Sequence, residues 1–320
     1  MLNCPVLQPV SVKSIHLKIL EIQIQTIENT AKTAKLSAVN TKRIEIERIA
    51  FSNHYLQAMK FKILSELTYE VYAPTTYIFN IQASNSNNQT ILEESLSFSP
   101  ELNFQEFTLP CSDSRYIKLQ INYGTFTISY KALVEVNELL VKESTLLQEI
   151  PLFEMDNEVM TYISPSRHCE SDKLIEFAAK EFGHLQDSLT KVKAIDNWIF
   201  NNVNYLTRST NSSESACDTL ISRQGVCKDF AHLGIALCRA LDIPARYFTG
   251  YAVNLLPPDI HACFEAYIGG QWLIFDPTHL SDINKLVKIA HGKDASEACV
   301  VTFYGSTCCT IMKIECDIAE

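Results

Sequence analysis

One stretch of this chain, GVCKDFAHLGIALCRAL at residues 225–241, constrains the fold more than any other. Apart from Asp229 in the first turn, almost every position is apolar or small. The exceptions form one narrow stripe along a helix, namely Lys228, His232 and Arg239. A helix of this kind is buried on most sides and needs a domain that surrounds it. Pro244 stops it shortly afterwards, so the sequence predicts a buried helix over 227–241.

The chain is long and apolar enough to enclose such a helix. It has 320 residues, of which 47% are hydrophobic and 20% charged, as in ordinary globular proteins with one or two cores. The net charge is −10 and no run of Lys and Arg is present, which disfavours nucleic-acid binding. No segment is apolar for long enough to span a bilayer, and the N-terminus lacks signal-peptide features. We therefore expect neither a nucleic-acid partner nor a membrane partner.

The cysteine pattern points to free thiols. Eleven cysteines are scattered along the chain without a CxxC pair. A chain of this length does not depend on a disulfide scaffold, so a reducing cytoplasm is the simplest interpretation. A weaker alternative is a metal site near the C-terminus, formed by His291, Cys299, Cys308, Cys309 and Cys316. Their spacing matches no structural zinc pattern, and we expect no metal and no other cofactor.

Three parts can be distinguished along the chain. Residues 1–60 hold no steady hydrophobic period and form an uncertain N-terminal extension. Residues 61–150 are rich in β-branched and aromatic residues between turn signals, which predicts a β-rich accessory domain, a sheet or sandwich. Residues 151–320 show helical spacing first and strand patterns later, which predicts an α+β domain. The elements expected there are helices at 171–182, 188–203, 214–223 and 227–241, and strands at 245–251, 260–268 and 271–276.

Cys227 is the first residue of the predicted buried helix. The unpaired N–H groups and the macrodipole of a helix start favour negative charge, so a thiolate is stabilised there. Cys238, in the last turns of the same helix, has no such support and is expected to fill the core. Position alone does not identify a nucleophile, because free cysteines are commonly buried for packing. A base is needed as well.

Of the eight histidines, His261 is the best candidate for that base. His232 is nearer in sequence, but five residues along a helix rotate it by about 140° and move it by about 7.5 Å. We expect His232 to form a hydrogen bond at the helix surface, and His291 to lie in a helix end or loop. His261 lies on a predicted strand that continues into a hairpin through Gly269 and Gly270.

The register of this hairpin places a carboxylate beside His261. With a two-residue turn, Tyr267 pairs with Trp272, and Cys263 then faces Asp276. His261 and Asp276 become diagonal neighbours on one face, with backbones about 7–8 Å apart. Asp276 could then fix the orientation and tautomer of the imidazole. A shift of one residue in the register would destroy this arrangement.

Two segments, GVCKDFAHLGIALCRALDIPARYFTGY and HACFEAYIGGQWLIFDPTH, resemble the transglutaminase-like superfamily of papain-like cysteine enzymes. The later HGKDASEA is similar to a segment of bacterial members, and the β-rich part resembles their N-terminal domain. The resemblance covers roughly residues 160–305. It implies a papain-like core with a catalytic Cys227, a general base His261 and an orienting Asp276. These are the residues that the spacing also selects.

The chain departs from the family pattern at two positions. Members often have Trp where Cys263 stands. Eukaryotic transglutaminases have Gln directly before the cysteine, whereas this chain has Val226, which weakens the case for protein crosslinking. Tyr205 lies where members often have an aromatic residue lining the site, and Gln224 is close to Cys227 in sequence. We assign both a supporting role toward substrate or oxyanion.

Together these residues predict acyl transfer on a peptide or protein substrate through a thioacyl-enzyme. Transfer to water would make the protein a peptidase or amidase, which is the favoured prediction. Transfer to an amine would make it a transglutaminase, and a catalytically silent binding module of the same fold is a third alternative. The first half-reaction is common to both enzymes, so the three residues do not separate them. The physiological substrate and the oligomeric state are not evident from the sequence.

Overall fold

The computed structural model describes residues 55–108, 113–139, 147–206 and 214–319. Most of the expected N-terminal extension lies outside these residues. From Gln57 onward the chain forms one compact unit. The strands are β1 Tyr55–Val71, β2 Thr75–Phe79, β3 Gln89–Ser99, β4 Gln105–Thr108, β5 Arg115–Ile121, β6 Gly124–Leu139, β7 Asn204–Tyr205, β8 Gln224–Gly225, β9 Ala245–Ala252, β10 Ile260–Ile268, β11 Gln271–Phe275, β12 Leu286–Gly292, β13 Val301–Tyr304 and β14 Thr307–Ala319. The α-helices are α1 Asn157–Met160, α2 Ile175–Phe182, α3 Ser188–Asn202, α4 Ala216–Ser222 and α5 Cys227–Arg239. Within these residues, no helix has the length and hydrophobicity needed to cross a membrane.

Two four-stranded sheets make up the β-rich part. Their strand orders are β14-β1-β6-β3 and β13-β2-β5-β4. Strand β2 alternates between buried and partly buried residues, as expected for a strand with one face in a core. Four aromatic rings from the two sheets meet between them, namely Tyr69, Tyr77, Phe79 and Phe126. The sheets therefore pack as a sandwich, as predicted.

The end of the chain returns to this sandwich. Strand β13 pairs antiparallel with β2, and β14 pairs antiparallel with β1 from Lys60 opposite Ala319 to Val71 opposite Thr307. Both partners come from the first part of the described chain. Two strands from the C-terminal part of the chain, β13 and β14, thus complete the sheets of the β-rich part. The division into three domains stays a prediction.

A third antiparallel sheet, of order β11-β10-β9-β12, supports the buried helix α5. The helix lies on this sheet, with α3 and α4 packed against its other sides. Gly234 allows the close approach, because a Cβ atom there would lie 2.6 Å from the ring of Phe264 on β10. Every residue of α5 from Asp229 to Arg239 is buried, which confirms the predicted enclosed helix.

The expected elements of this part are largely confirmed. The predicted helix at 171–182 is divided into a 3-10 turn, Ser171–Lys173, and α2, because Leu174 leaves the α-helical backbone region. His291 is not in a helix end or loop as expected but lies buried on β12. The fold is mixed α+β, with a papain-like core following a β-rich domain, as predicted.

Candidate active site

Cys227 is held at the start of α5 by a cap that the helix itself provides. The carboxylate of Asp229 accepts a hydrogen bond from the Val226 N–H at 2.9 Å. The side chain of Asp229 also fills the space beside Gly225, where an added Cβ would come within 2.7 Å of it. Strand β8 pairs in parallel with β7 just before this point, so backbone hydrogen bonds fix the course of the chain that leads to Cys227. The thiol is partly exposed.

The hairpin of β10 and β11 has the predicted register. Gly269 and Gly270 have φ values of +58° and +85°, which suit a two-residue hairpin turn. Tyr267 pairs with Trp272, and the ladder continues until β11 ends just before Asp276. The His261 Nε2 lies 2.9 Å from the Asp276 Oδ2. Since a carboxylate only accepts hydrogen bonds, Nε2 carries the proton and Nδ1 is the second ring nitrogen available for chemistry.

The Asp276 carboxylate is fully engaged by donors of its own loop. The Thr278 hydroxyl donates to Oδ1 at 2.6 Å, and the Ser281 hydroxyl donates to Oδ2 at 2.8 Å. The backbone N–H groups of both residues donate as well, each at 3.1 Å. Burial alone would raise the pKa of Asp276, but the hydrogen bonds from His261, Thr278 and Ser281 outweigh it and lower the pKa to about 2. Asp276 is therefore a fixed negative charge at neutral pH.

His261 connects this carboxylate to the thiol. The imidazole is buried, with 1% of its surface exposed; it is hydrogen-bonded to Asp276, and the Cys227 thiol lies close enough to raise its pKa. Burial lowers the pKa of His261, but the interactions with Asp276 and Cys227 raise it, and the net direction is upward. The surroundings thus favour the imidazolium, which is the form that stabilises a neighbouring thiolate.

A second thiol, Cys263, also contacts His261, and its properties differ from those of Cys227. Cys263 is completely buried. Burial raises its pKa to about 12, so it stays a neutral thiol at physiological pH. Among the cysteines of the described residues, only Cys227 combines partial exposure with a helix start and a contact to the imidazole. The surroundings therefore distinguish the two cysteines.

Tyr205 and Gln224 lie beside Cys227 on the two short paired strands. Tyr205 pairs with Gly225 and packs edge-on against Phe230. Burial and then the charge of Cys227 raise the pKa of the Tyr205 phenol to about 12, so it remains a neutral hydroxyl. Gln224 is exposed on β8. Tyr205 lies close enough to the thiol to sense its charge, whereas Gln224 is near Cys227 in the chain, and the supporting roles of both residues stay predictions.

The expectation for His232 is wrong in one respect. His232 is not at the surface of the helix but buried, where its Nε2 accepts a hydrogen bond from the Ala295 N–H at 3.1 Å. Its ring stacks on His168 with centroids 5.0 Å apart. Burial and the neighbouring His168 lower the pKa of His232 to about 3. The segment around Ala295 covers His232, which the sequence pattern had placed on the polar stripe of the helix. Cys238 is fully buried, which confirms its packing role.

The alternative metal site near the C-terminus does not form in the part of the chain that the structure describes. Its members are spread over a loop, β12 and two regions of β14, with Cys308 and Cys309 exposed and His291 buried. Among the described residues, one group of three possible ligands comes together, and it consists of His261, Cys263 and Asp276.

Three residues that position the site were missed by sequence reasoning. Asp229 caps the helix that bears Cys227, and Thr278 with Ser281 hold Asp276. An acidic residue three positions after Val226 is a helix-start signal that could have identified Asp229. A Thr two residues after an Asp often closes a local side-chain turn, which could have identified Thr278. Nothing in the sequence pattern pointed to Ser281.

Comparison with known proteins places this geometry in a family. The model of the transglutaminase-like superfamily matches residues 176–277, and that of the bacterial transglutaminase N-terminal domain matches residues 59–158. A candidate cysteine protease from Cytophaga hutchinsonii, of known crystal structure, is 50% identical to this chain, covers 82% of it and 92% of its own length, and superimposes with a TM-score of 0.80. The uncharacterised protein ML0607 of Mycobacterium leprae is 25% identical over 265 residues, 74% of this chain and 90% of the relative. Rv2569c of Mycobacterium tuberculosis, also uncharacterised, is 28% identical over 142 residues, which cover 40% of this chain and 45% of that protein.

The two family models fall on successive parts of the chain. One covers most of strands β1–β6 of the sandwich, and the other runs from α2 to just beyond Asp276, so that Cys227, His261 and Asp276 all lie within it. This chain belongs to the transglutaminase-like superfamily.

Proposed function

We propose that this protein is a cysteine-dependent acyl transferase that acts on peptide or amide bonds, with hydrolysis as its main reaction. The observation that carries the proposal is the buried His261, which is hydrogen-bonded to Asp276 and interacts with the nearby Cys227 thiol. Cys227 is the nucleophile, His261 the general base and acid, and Asp276 the group that orients the imidazole and stabilises its charged form.

The first half-reaction follows from these positions. His261 takes the proton of the Cys227 thiol on Nδ1, and the thiolate attacks the substrate carbonyl. The Cys227 N–H lies in the first turn of α5, where helix N–H groups have no intrahelical acceptor, so it can donate to the oxyanion. His261 then returns its proton to the departing amine, the C–N bond breaks, and a thioester remains on Cys227.

The second half-reaction decides the enzyme class. In hydrolysis, His261 takes a proton from water, the hydroxide adds to the thioester, and the acid leaves as Cys227 is released. In transamidation, a primary amine replaces water. Val226 stands where eukaryotic transglutaminases carry Gln, which supports hydrolysis. The cysteine protease label of the Cytophaga relative supports the same choice.

The nucleophile can be tested by alkylation. The purified protein is treated with iodoacetamide near pH 6, and the labelled cysteines are mapped by mass spectrometry over time. We expect Cys227 to react faster than every other cysteine, because it is partly exposed and close to His261, whereas Cys263, the other thiol beside this imidazole, is completely buried. Cys299 is a useful internal control, since it is exposed but has no imidazole partner among its described contacts. Equal rates at Cys227 and Cys299 would contradict the assignment.

The reaction can be tested with casein, with and without a labelled primary amine. Hydrolysis predicts new peptide termini in both samples, and transamidation predicts incorporation of the amine. Both should be lost in Cys227→Ala and retained in Cys238→Ala, which removes a buried thiol of the same helix. Cleavage that survives in Cys227→Ala would exclude this thiol as the nucleophile. A protein whose Cys227 is not preferentially alkylated and that produces neither product would be the silent binding module.

We also propose that the protein works in a reducing compartment, the cytoplasm. All cysteines in the described residues are free thiols, and the neighbouring Cys308 and Cys309 are both exposed. Exposed thiols of this kind would oxidise outside a reducing environment. Cell fractionation with an antibody tests this, and recovery in an oxidising compartment would contradict it.

A further inference from the structure

We propose that His261, Cys263 and Asp276 form an inhibitory binding site for a thiophilic divalent cation, for which Zn²⁺ is the probe. One ligand atom from each side chain lies within 4.8 Å of the other two. This site lies beside Cys227 but does not include it. The inference concerns the same imidazole as the proposed function, yet metal binding is measured without any turnover.

The donor set has the chemistry that zinc requires. Imidazole nitrogen, thiolate sulfur and carboxylate oxygen are the three ligand types of protein zinc sites, at distances of about 2.0–2.3 Å. A tetrahedral ion with such bonds separates its ligand atoms by about 3.3–3.8 Å. The longest of the present separations, at most 4.8 Å, would have to shorten by about 1–1.5 Å to reach that geometry. The distance of 2.9 Å between the His261 Nε2 and the Asp276 Oδ2 would have to lengthen slightly. Three protein ligands leave the fourth position for water.

Charge and burial favour an ion here. All three side chains are buried, with exposed fractions of 1% for His261, 0% for Cys263 and 4% for Asp276. A thiolate and a carboxylate carry two negative charges, which neutralise those of Zn²⁺, so the complete site is neutral. A neutral site avoids the large cost of leaving a net charge in a low-dielectric interior. Exposed acidic clusters do not have this advantage.

Groups that would hold the metal ligands in place are already present around the site. Asp276 receives hydrogen bonds from the hydroxyls of Thr278 and Ser281, which would keep the carboxylate oriented after His261 turns its nitrogen to the ion. Groups that orient metal ligands in this way are part of most zinc sites. Cys263 is fixed by its central position on β10, opposite Phe248 on β9.

Occupancy would switch off the neighbouring thiol. The ion would replace the proton between the His261 Nε2 and the Asp276 Oδ2, which are now 2.9 Å apart. Starting from the imidazolium, the Nε2 proton of His261 and the thiol proton of Cys263 would both pass to solvent as the metal–nitrogen and metal–sulfur bonds form. The imidazole would then keep its remaining proton on Nδ1 and could no longer accept the proton of Cys227. The chain would hold its nucleophile without a base until the metal is removed.

The test uses a parent variant that cannot bind zinc through other accessible thiols. In this full-length parent, every cysteine that is not buried among the described residues is replaced by Ser, namely Cys4, Cys111, Cys217, Cys227, Cys299, Cys308 and Cys309. The pair Cys227–His261 is thereby eliminated as a ligand set. Zn²⁺ affinity is measured by equilibrium dialysis, and Cd²⁺ by its thiolate charge-transfer absorbance. The parent is compared with its Cys263→Ala derivative and with a Cys238→Ala derivative as the matched control for loss of a buried thiol.

We expect the parent to bind Zn²⁺, Cys263→Ala to bind at least about tenfold more weakly, and Cys238→Ala to equal the parent, since even losing an outer-shell partner costs about 10–100-fold in metal affinity. Equal affinity of the parent and Cys263→Ala overturns the proposal, as does a parent that binds no Zn²⁺. A cooperative thermal transition verifies that each variant is folded. If Cys263→Ala does not fold, Cys263→Ser and Asp276→Asn take its place with the same criterion. Failure here leaves the alkylation and cleavage tests of Cys227 unaffected.

Discussion

The hydrogen bond between His261 and Asp276 orients the imidazole on which the proposed reaction depends. Replacing Asp276 by Asn keeps the shape of the side chain but removes the charge that stabilises the imidazolium. We expect peptide hydrolysis to fall by roughly 100-fold or more, as in other enzymes in which an imidazole loses its carboxylate partner. The measurement is the rate of peptide hydrolysis. The matched control is Asp196→Asn, since Asp196 forms a hydrogen bond of the same length, 2.9 Å, with His279 instead. Similar rates in Asp276→Asn and in the native chain would show that Asp276 does not support His261.

The same carboxylate makes stability depend on pH. The pKa of Asp276 is about 2 in the folded protein, below about 3.9 for an unfolded Asp. A lowered pKa stabilises the fold above the unfolded value, and this contribution is lost as the pH falls from about 4 toward 2. A shift of this size corresponds to about 2–3 kcal/mol. Urea unfolding at pH 7 and pH 3 measures it: the difference between the native chain and Asp276→Asn should shrink at the lower pH. A difference that stays constant would exclude this linkage.

At the scale of elements, a buried charge network joins three strands of the sheet beneath α5. Glu265 on β10 receives hydrogen bonds from Arg246 on β9 at 2.5 Å and from Lys288 on β12 at 3.0 Å. Burial would raise the pKa of Glu265, but the charges of Lys288 and Arg246 prevail and lower it to about 2. Both cations are largely shielded from water, with 12% and 13% of their side-chain surfaces exposed. Three consecutive strands, β10, β9 and β12, are therefore linked through one side chain.

Glu265→Gln should therefore destabilise the protein strongly. It leaves two buried cations without their partner, which costs about 3–5 kcal/mol in the free energy of unfolding. Glu315→Gln serves as the control, because Glu315 pairs with Lys313 at the surface, where an ion pair contributes about 0–1 kcal/mol. Urea titrations at pH 7 of both variants provide the comparison. Equal losses in the two variants would mean that the network does not hold the sheet together.

How far the sequence predicts these elements depends on the range of the interactions. The hairpin around Gly269 was predicted correctly to the residue, because alternation and a two-residue turn fix its register locally. Cys227 at the helix start is equally local. The burial of His232 under the segment around Ala295 could not be derived, because these residues are far apart in sequence and nothing in either stretch specifies the other. Glu265 meets Lys288 through the order of strands, which the local pattern does not encode.

For the whole molecule, the most distant pairing is also the least predictable one. Strand β14 pairs with β1 across almost the entire described chain, and β13 closes the other sheet beside β2. Both strands are edges of their sheets, so they cover backbone groups of β1 and β2 that would otherwise be open to other chains. The family model for the transglutaminase-like core ends at residue 277. The strands that complete the sandwich therefore lie beyond the segment that carries the site.

This arrangement predicts the result of removing the end of the chain. A protein that stops at Val300 lacks β13 and β14 but retains Cys227, His261 and Asp276. We expect it to unfold at a lower temperature and to aggregate, because the 17-residue strand β1 and the shorter β2 would become exposed edges. Thermal unfolding and size-exclusion chromatography measure both effects. The control is a full-length chain with Thr310→Glu, a charge added on the exposed side of β14 that leaves the strand in place. A monomeric truncated protein with an unchanged unfolding temperature would show that the sandwich does not need its last two strands, and that the site folds independently of them.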